Sequence, residues 1–295
     1  MPRAALLSIH ARVDGTTPST WEDPSLVQLW GPGFSAYVVP ARDTAAFTLG
    51  RLPDGSRARR RAEDLAARLH AYLDGRRMPY GEAGRGIGVH PNALRYAAAT
   101  GTVLIRWEGA RQPTVLSVPA PGDEPHEARR DLARRYLHLY GPTTPEAFER
   151  WAGIERAGAR AAFEELNETL TPVRTPVGVG WILSEDEQAF RARPKPGAGV
   201  RLLPSGDPYF LLHGTQRDLL VPDGGRRSDL WTPRVWPGAL LVAGEVAGTW
   251  RRADAAVTVS LWRPLAAAEY KALEAEVASM PLPGVQARLA AVETR

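Results

Sequence analysis

Residues 88–107 read GVHPNALRYAAATGTVLIRW. Gly88 suits a left-handed turn, and His90-Pro91 opens a helix, since proline fits a first helical turn. Leu94, Ala97 and Ala98 recur at helical spacing, so one face is buried. Gly101 stops that helix as a C-terminal cap. Val103, Ile105 and Trp107 then alternate with Thr102, Leu104 and Arg106, the period of a strand. EGARQP (108–113) turns the chain into a second strand, Thr114–Val118. Upstream, Ala62–Leu73 reads as an amphipathic helix and Tyr80–Ile87 as a shorter one.

Helix, helix, turn, helix, hairpin is the order of a winged helix-turn-helix, whose second short helix commonly enters a DNA groove. The same order returns downstream. His126–Tyr140 is a helix, and Thr143-Thr144-Pro145-Glu146 starts another that Gly153 ends. Ala157–Leu170 is a third, and Pro172–Thr175 with Gly180–Leu183 form a second hairpin, turned at Val177-Gly178. Near the start, Ala4–Arg12 is helical, Leu26–Leu29 and Ser35–Val39 flank the turn Gly31-Pro32-Gly33, and Arg42–Leu49 is helical. That segment has the back half of a third copy. From Arg193, short apolar runs alternate with turns (200–203, 209–212, 219–221, 239–242, 245–250, 257–262), before a closing helix, Ala266–Ser279. Strands at this spacing suggest a small barrel or sandwich. The expected organisation is α+β: a partial first winged helix at 1–53, a second at 54–120, a third at 121–192, and a small C-terminal β-barrel with its helix at 193–295.

The 295 residues suffice for two or three domains. No run of eighteen apolar residues is present, so no membrane span is expected, and MPRAALLSIH is too short and too soon polar for a secretory signal. The absence of cysteine excludes disulfides, thiolate nucleophiles and cysteine zinc sites. A cytoplasmic location fits. Net charge is +4, and with two lysines, Lys195 and Lys271, 35 of the 37 basic residues are arginine. Arginine contacts phosphate and guanine bidentately; codon bias of a GC-rich genome is the simpler account of the arginine and alanine content, but does not explain where the arginines sit.

Three stretches carry a resemblance: YLHLYGPTTPEAFERWAGI (136–154), VRLLPSGDPYFLL (200–212) and GEVAGTWRR (244–252). They resemble the winged-helix DNA-binding domain family that includes the AlkZ/YcaQ-type bacterial DNA interstrand-crosslink glycosylases. The similarity runs from about residue 20 to 280. It implies tandem winged helices, a β-barrel, and hydrolytic excision of bulky alkylated or crosslinked purines. It also implies a catalytic Gln-apolar-Gln or Gln-apolar-Asp stretch near the N-terminus, before the segment that LLSIHARVDG (6–15) matches. This sequence has no such stretch; its one early glutamine is Gln28. A late start and a missing motif are both open readings. Many relatives carry arginine near the turn holding Gly33.

Purine excision requires access to the nucleotide and water aligned by a carboxylate or amide. A catalytic lysine would form a Schiff base and nick the strand. Both lysines lie outside the winged helices, so a monofunctional glycosylase without lyase activity is expected. A nucleophilic Pro2 amine belongs to enzymes with cysteine zinc fingers, impossible here. Candidate DNA contacts are His90, Asn92 and Arg95 on the second winged helix, Arg106 and Arg111 flanking its hairpin, and Gln216 and Arg217 in the polar turn HGTQRD (213–218). Asn92 as a mere helix-start residue and the arginines as solvated side chains are the plain alternatives. Asp207, in GDPY, is a weak catalytic candidate whose simpler role is to cap the Pro208 turn. RARRRAED (57–64) is the strongest local basic run. Tyr136, Tyr140, Phe148 and Trp151 belong to the core at helical spacing. The six histidines are scattered, so no metal and no cofactor is expected. The expected partner is double-stranded DNA, and the chain is expected to be a monomer. A winged-helix transcriptional regulator, which binds without chemistry, is the alternative, against which stands the lack of a heptad run for dimerisation; a protein-interaction module is a third reading.

Overall fold

The computed structural model describes residues 2–108, 112–192, 199–212 and 216–294, without the side chains of residues 2 and 3. Its contacts form two units: Asp23–Arg191, and residues 1–22 together with Ala192–Arg295. The segment 1–53 is thus divided between them. Helix α1 (Pro2–His10) belongs to the second unit, because Leu7 is buried with Trp250, Val257 and Leu273.

In the first unit, β1 (Leu26–Trp30) and β2 (Ala36–Pro40) form an antiparallel hairpin, followed by α2 (Thr44–Phe47). Next come α3 (Ser56–Leu73), β3 (Met78–Pro79), α4 (Tyr80–Gly86), α5 (Leu94–Ala97), and the hairpin β4 (Val103–Arg106) with β5 (Thr114–Ser117). These strands make one five-stranded sheet in the order β2-β1-β4-β5-β3. The early hairpin therefore does not stand alone: Gln28 lies opposite Ile105 and joins it to the later one. Helix α3 begins earlier than the apolar pattern suggests, at Ser56, because its basic first turns are exposed while Ala62, Leu65, Leu69 and Leu73 are buried. Gly101, at φ 75, caps the turn after α5 as expected. Gly84 lets the turn between α4 and α5 close: a Cβ there would meet the Pro91 Cα at 2.7 Å.

The second helical group is α6 (Pro125–Tyr140), α7 (Pro145–Ala152) and α8 (Arg156–Glu165), followed by the hairpin β6 (Leu170–Thr175) and β7 (Gly178–Leu183), and by α9 (Glu187–Arg191). Thr144 caps α7 by accepting the Ala147 N–H, and Gly153 ends it at φ 69. Helix α8 is shorter than Ala157–Leu170, since β6 already begins at Leu170. Tyr136, Phe148 and Trp151 form an aromatic core, with Phe148 fully buried. Burying such a ring stabilises by about 1.5–3 kcal/mol.

The other unit contains β8 (Val200–Leu203), α10 (Gln216–Leu220), α11 (Gly224–Leu230), β9 (Gly238–Val242), β10 (Glu245–Ala253), β11 (Ala256–Leu261), α12 (Ala267–Ala278) and β12 (Arg288–Thr294). Here the expected barrel is corrected. Among the described residues these strands make one open sheet, β12-β11-β10-β9-β8. Two features account for this. Buried Glu276 on α12 accepts the Leu202 N–H of edge strand β8, a group that closure would need for another strand. And β12, reached through the α12 crossover, adds in parallel beside β11. The runs 209–212 and 219–221 are not strands either: a 3-10 turn covers Pro208–Phe210 and α10 covers Gln216–Leu220.

Among the described residues no helix is long and apolar enough to cross a membrane, and no three His, Asp or Glu side chains group as metal ligands.

Candidate nucleic-acid interface

Around α5 the chain places a short helix, an exposed aromatic pair and several arginines on one unit. His90 caps the turn that leads into α5, its Nδ1 accepting the Asn92 N–H at 3.3 Å. Asn92 itself is exposed. Arg95 is half-buried, and its Nε is buried without a hydrogen-bond partner. Arg106 faces Glu108, with Nε 3.5 Å from Oε1, and the same carboxylate takes Arg77 at 2.9 Å. The hairpin arginine is therefore already paired with an acid. Arg111 and residues 213–215 lie outside the described residues.

Two residues that sequence pattern did not single out complete this region. Phe34, at the tip between β1 and β2, has φ 56 and follows Gly33 at φ 62. Left-handed backbone costs a non-glycine residue about 1–2 kcal/mol. The tip is held by Phe34 N–H to Gly31 O at 3.0 Å and Gly31 N–H to Ser35 O at 2.9 Å. Tyr96, on α5, meets the Phe34 ring edge-on at 5.1 Å between centroids. Both rings stay exposed, Phe34 at 36% and Tyr96 at 41%. The Arg61 guanidinium lies over the Tyr96 ring at 4.6 Å, and that of Arg51 lies 5.6 Å from the Phe34 centroid.

Arg51 is 7% exposed, yet makes no ion pair among the described residues. Its Nε donates to Ala152 O at 2.8 Å and its Nη1 to Trp30 O at 3.2 Å. Desolvation pushes its pKa down to about 10, leaving it charged at neutral pH. Burial likewise pushes the nearby Tyr37 phenol up to about 12. A buried cation without a carboxylate is costly; here the two carbonyls and the Phe34 ring offset part of that cost.

The expected sites of the other unit are arranged differently. Asp207 is 1% exposed. It accepts two hydrogen bonds from Arg12, at 2.9 and 2.7 Å, and caps Tyr209 N–H at 2.9 Å. The capping role is thus present. Arg217 donates Nε to Leu212 O at 2.8 Å and lies over Trp231 at 4.8 Å and Trp236 at 5.5 Å. Gln216 opens α10 and is half-buried. Gln28, the one early glutamine, is buried in β1; its Oε1 accepts Trp107 N–H at 2.8 Å and its Nε2 has no partner.

A model of the AlkZ-like DNA glycosylase family matches residues 1–281. This chain belongs to that family. A curated relative, the interstrand DNA cross-link repair glycosylase of Streptomyces sahachiroi, is 31% identical over 160 residues, a match covering 52% of this chain and 42% of that relative. The solved structure of Streptomyces sahachiroi DNA glycosylase AlkZ shares the fold at a TM-score of 0.75 and 20% identity, covering 99% of this chain and 90% of that one. In this AlkZ-like chain, Phe34, Tyr96 and Arg51 gave little sequence signal. Positive φ at a phenylalanine and burial of an unpaired arginine are tertiary facts; only the Gly-Pro-Gly turn before Phe34 marked the tip as tight.

Proposed function

We propose that this chain binds duplex DNA and removes alkylated or crosslinked purines as a monofunctional glycosylase. The observation that carries this is the family match across residues 1–281. The order α3-α4-α5-β4-β5, and again α6-α7-α8-β6-β7, supports reading 54–120 and 121–192 as winged helix-turn-helix units. In that reading the turn into α5 presents His90 and Asn92 to a groove, and α5 itself presents Arg95. Asn pairs with adenine and Arg with guanine, each contact worth about 1–3 kcal/mol of discrimination. The arginines beside α5 that have no acid partner, Arg51, Arg61 and Arg95, supply phosphate contacts. N7 alkylation makes the base a good leaving group, so an aligned water suffices. Both lysines lie outside the two winged-helix units, in keeping with hydrolysis without strand nicking.

A second reading, DNA binding without chemistry, is favoured by one observation: Asp207, the acid singled out, is sealed against Arg12. The test is release of base from duplex DNA carrying N7-alkylguanine, followed by alkali to reveal abasic sites. Expected is free modified base, with strand breaks only after alkali. DNA bound without release would establish the second reading. Breaks before alkali would overturn the monofunctional assignment.

A further inference from the structure

We propose that Phe34 and Tyr96 form a ledge that takes the face of an unstacked DNA base, with Arg51 and Arg61 holding the phosphates beside it. This rests on the reading that the chain binds DNA, and adds to it the residues that receive the base. Four observations converge. The two rings are exposed and in contact, on different elements of one unit. Phe34 is held in a left-handed conformation by hydrogen bonds across the β1–β2 tip, a strained geometry that fixes where its exposed ring stands. A cation lies over or against each ring. Neither cation has a carboxylate among the described residues, although Arg59 and Arg68 on α3, the helix that carries Arg61, do.

Each alternative occupant lacks one of these features. An apolar partner would not match Arg51 and Arg61. An acidic peptide would match the charge but would leave the aromatic faces without a flat ring. A nucleotide supplies both a π face and a phosphate, and stacking on aromatic side chains tolerates any base. Gly31 leaves room for the Tyr37 ring to pack at the base of the tip: a Cβ there would meet that ring at 2.7 Å.

The test compares two duplexes of equal length, one fully paired and one with a single bulged 2-aminopurine. The wild-type chain binds the bulged duplex more tightly, by roughly tenfold, and quenches the fluorophore, as expected for one stacked base. Phe34→Ala and Tyr96→Ala each remove most of that preference and the quenching, weakening the bulged duplex several-fold more than the paired one. Tyr96→Phe keeps both, which separates stacking from misfolding. Equal affinity of the wild-type chain for the two duplexes overturns the ledge, as does equal weakening of both duplexes in the alanine variants. If the wild-type chain binds neither duplex, the DNA-binding reading itself fails.

Discussion

Arg61 and Arg217 each lie over an aromatic ring at nearly the same distance, 4.6 Å and 4.8 Å. Their surroundings differ. Arg217 also donates to Leu212 O and has a second indole, Trp236, 5.5 Å away. Arg61 is on an exposed helix face and holds nothing else among the described residues. The same contrast extends to their neighbours. Around Phe34 and Tyr96, Arg51, Arg61 and Arg95 lack an acid. Around Asp207, Arg12 and the Tyr209 N–H use up the carboxylate. Arg217, spent on a carbonyl and two indoles, builds the fold; Arg61, exposed and over a single ring, keeps its donors for an anion. Both residues looked alike in sequence, as an arginine near a turn or helix start.

That contrast can be broken in four ways. Arg12→Ala leaves the Asp207 carboxylate buried and unpaired, so unfolding in urea should show a loss of about 3 kcal/mol. A loss under about 1 kcal/mol would mean that water already reaches Asp207. Asp207→Asn keeps an acceptor for the cap but removes the charge-assisted bonds, lowering stability by about 1–2 kcal/mol. Base release per folded molecule should stay unchanged; a hundredfold drop with the fold intact would return Asp207 to the chemistry. Arg217→Ala should cost about 1 kcal/mol through lost packing on the indoles, with the salt dependence of DNA binding unaltered. Arg61→Gln should change stability by less than about 0.5 kcal/mol, while reducing the salt slope of DNA binding by about one.

Much of the fold was legible because it is local. The helix–helix–helix–hairpin order follows from apolar spacing and from capping residues such as Thr144, Gly101 and Gly153, which act within a few residues of themselves. What could not be read is non-local. Pairing of Gln28 with Ile105 merges two hairpins into one sheet, and nothing in either strand announces the partner. The barrel expectation failed for a similar reason: Glu276, 74 residues away, takes the N–H of Leu202 and leaves that edge open. Of the candidate site, the pattern around α5 names His90, Asn92 and Arg95 as candidates. Phe34 and Arg51 enter the proposal only through a backbone angle and a missing counter-charge, neither of which a sequence displays.

The central claim is that arginines without carboxylate partners beside α5 contact DNA phosphate. It is tested most directly by titrating a short duplex with the wild-type chain and with the double variant Arg61→Gln, Arg95→Gln, from low to moderate salt. Three phosphate contacts predict a slope of log affinity against log salt of about −3 for the wild-type chain, falling to about −1 in the variant. Equal slopes for the two proteins, or binding that salt does not weaken, would contradict the account.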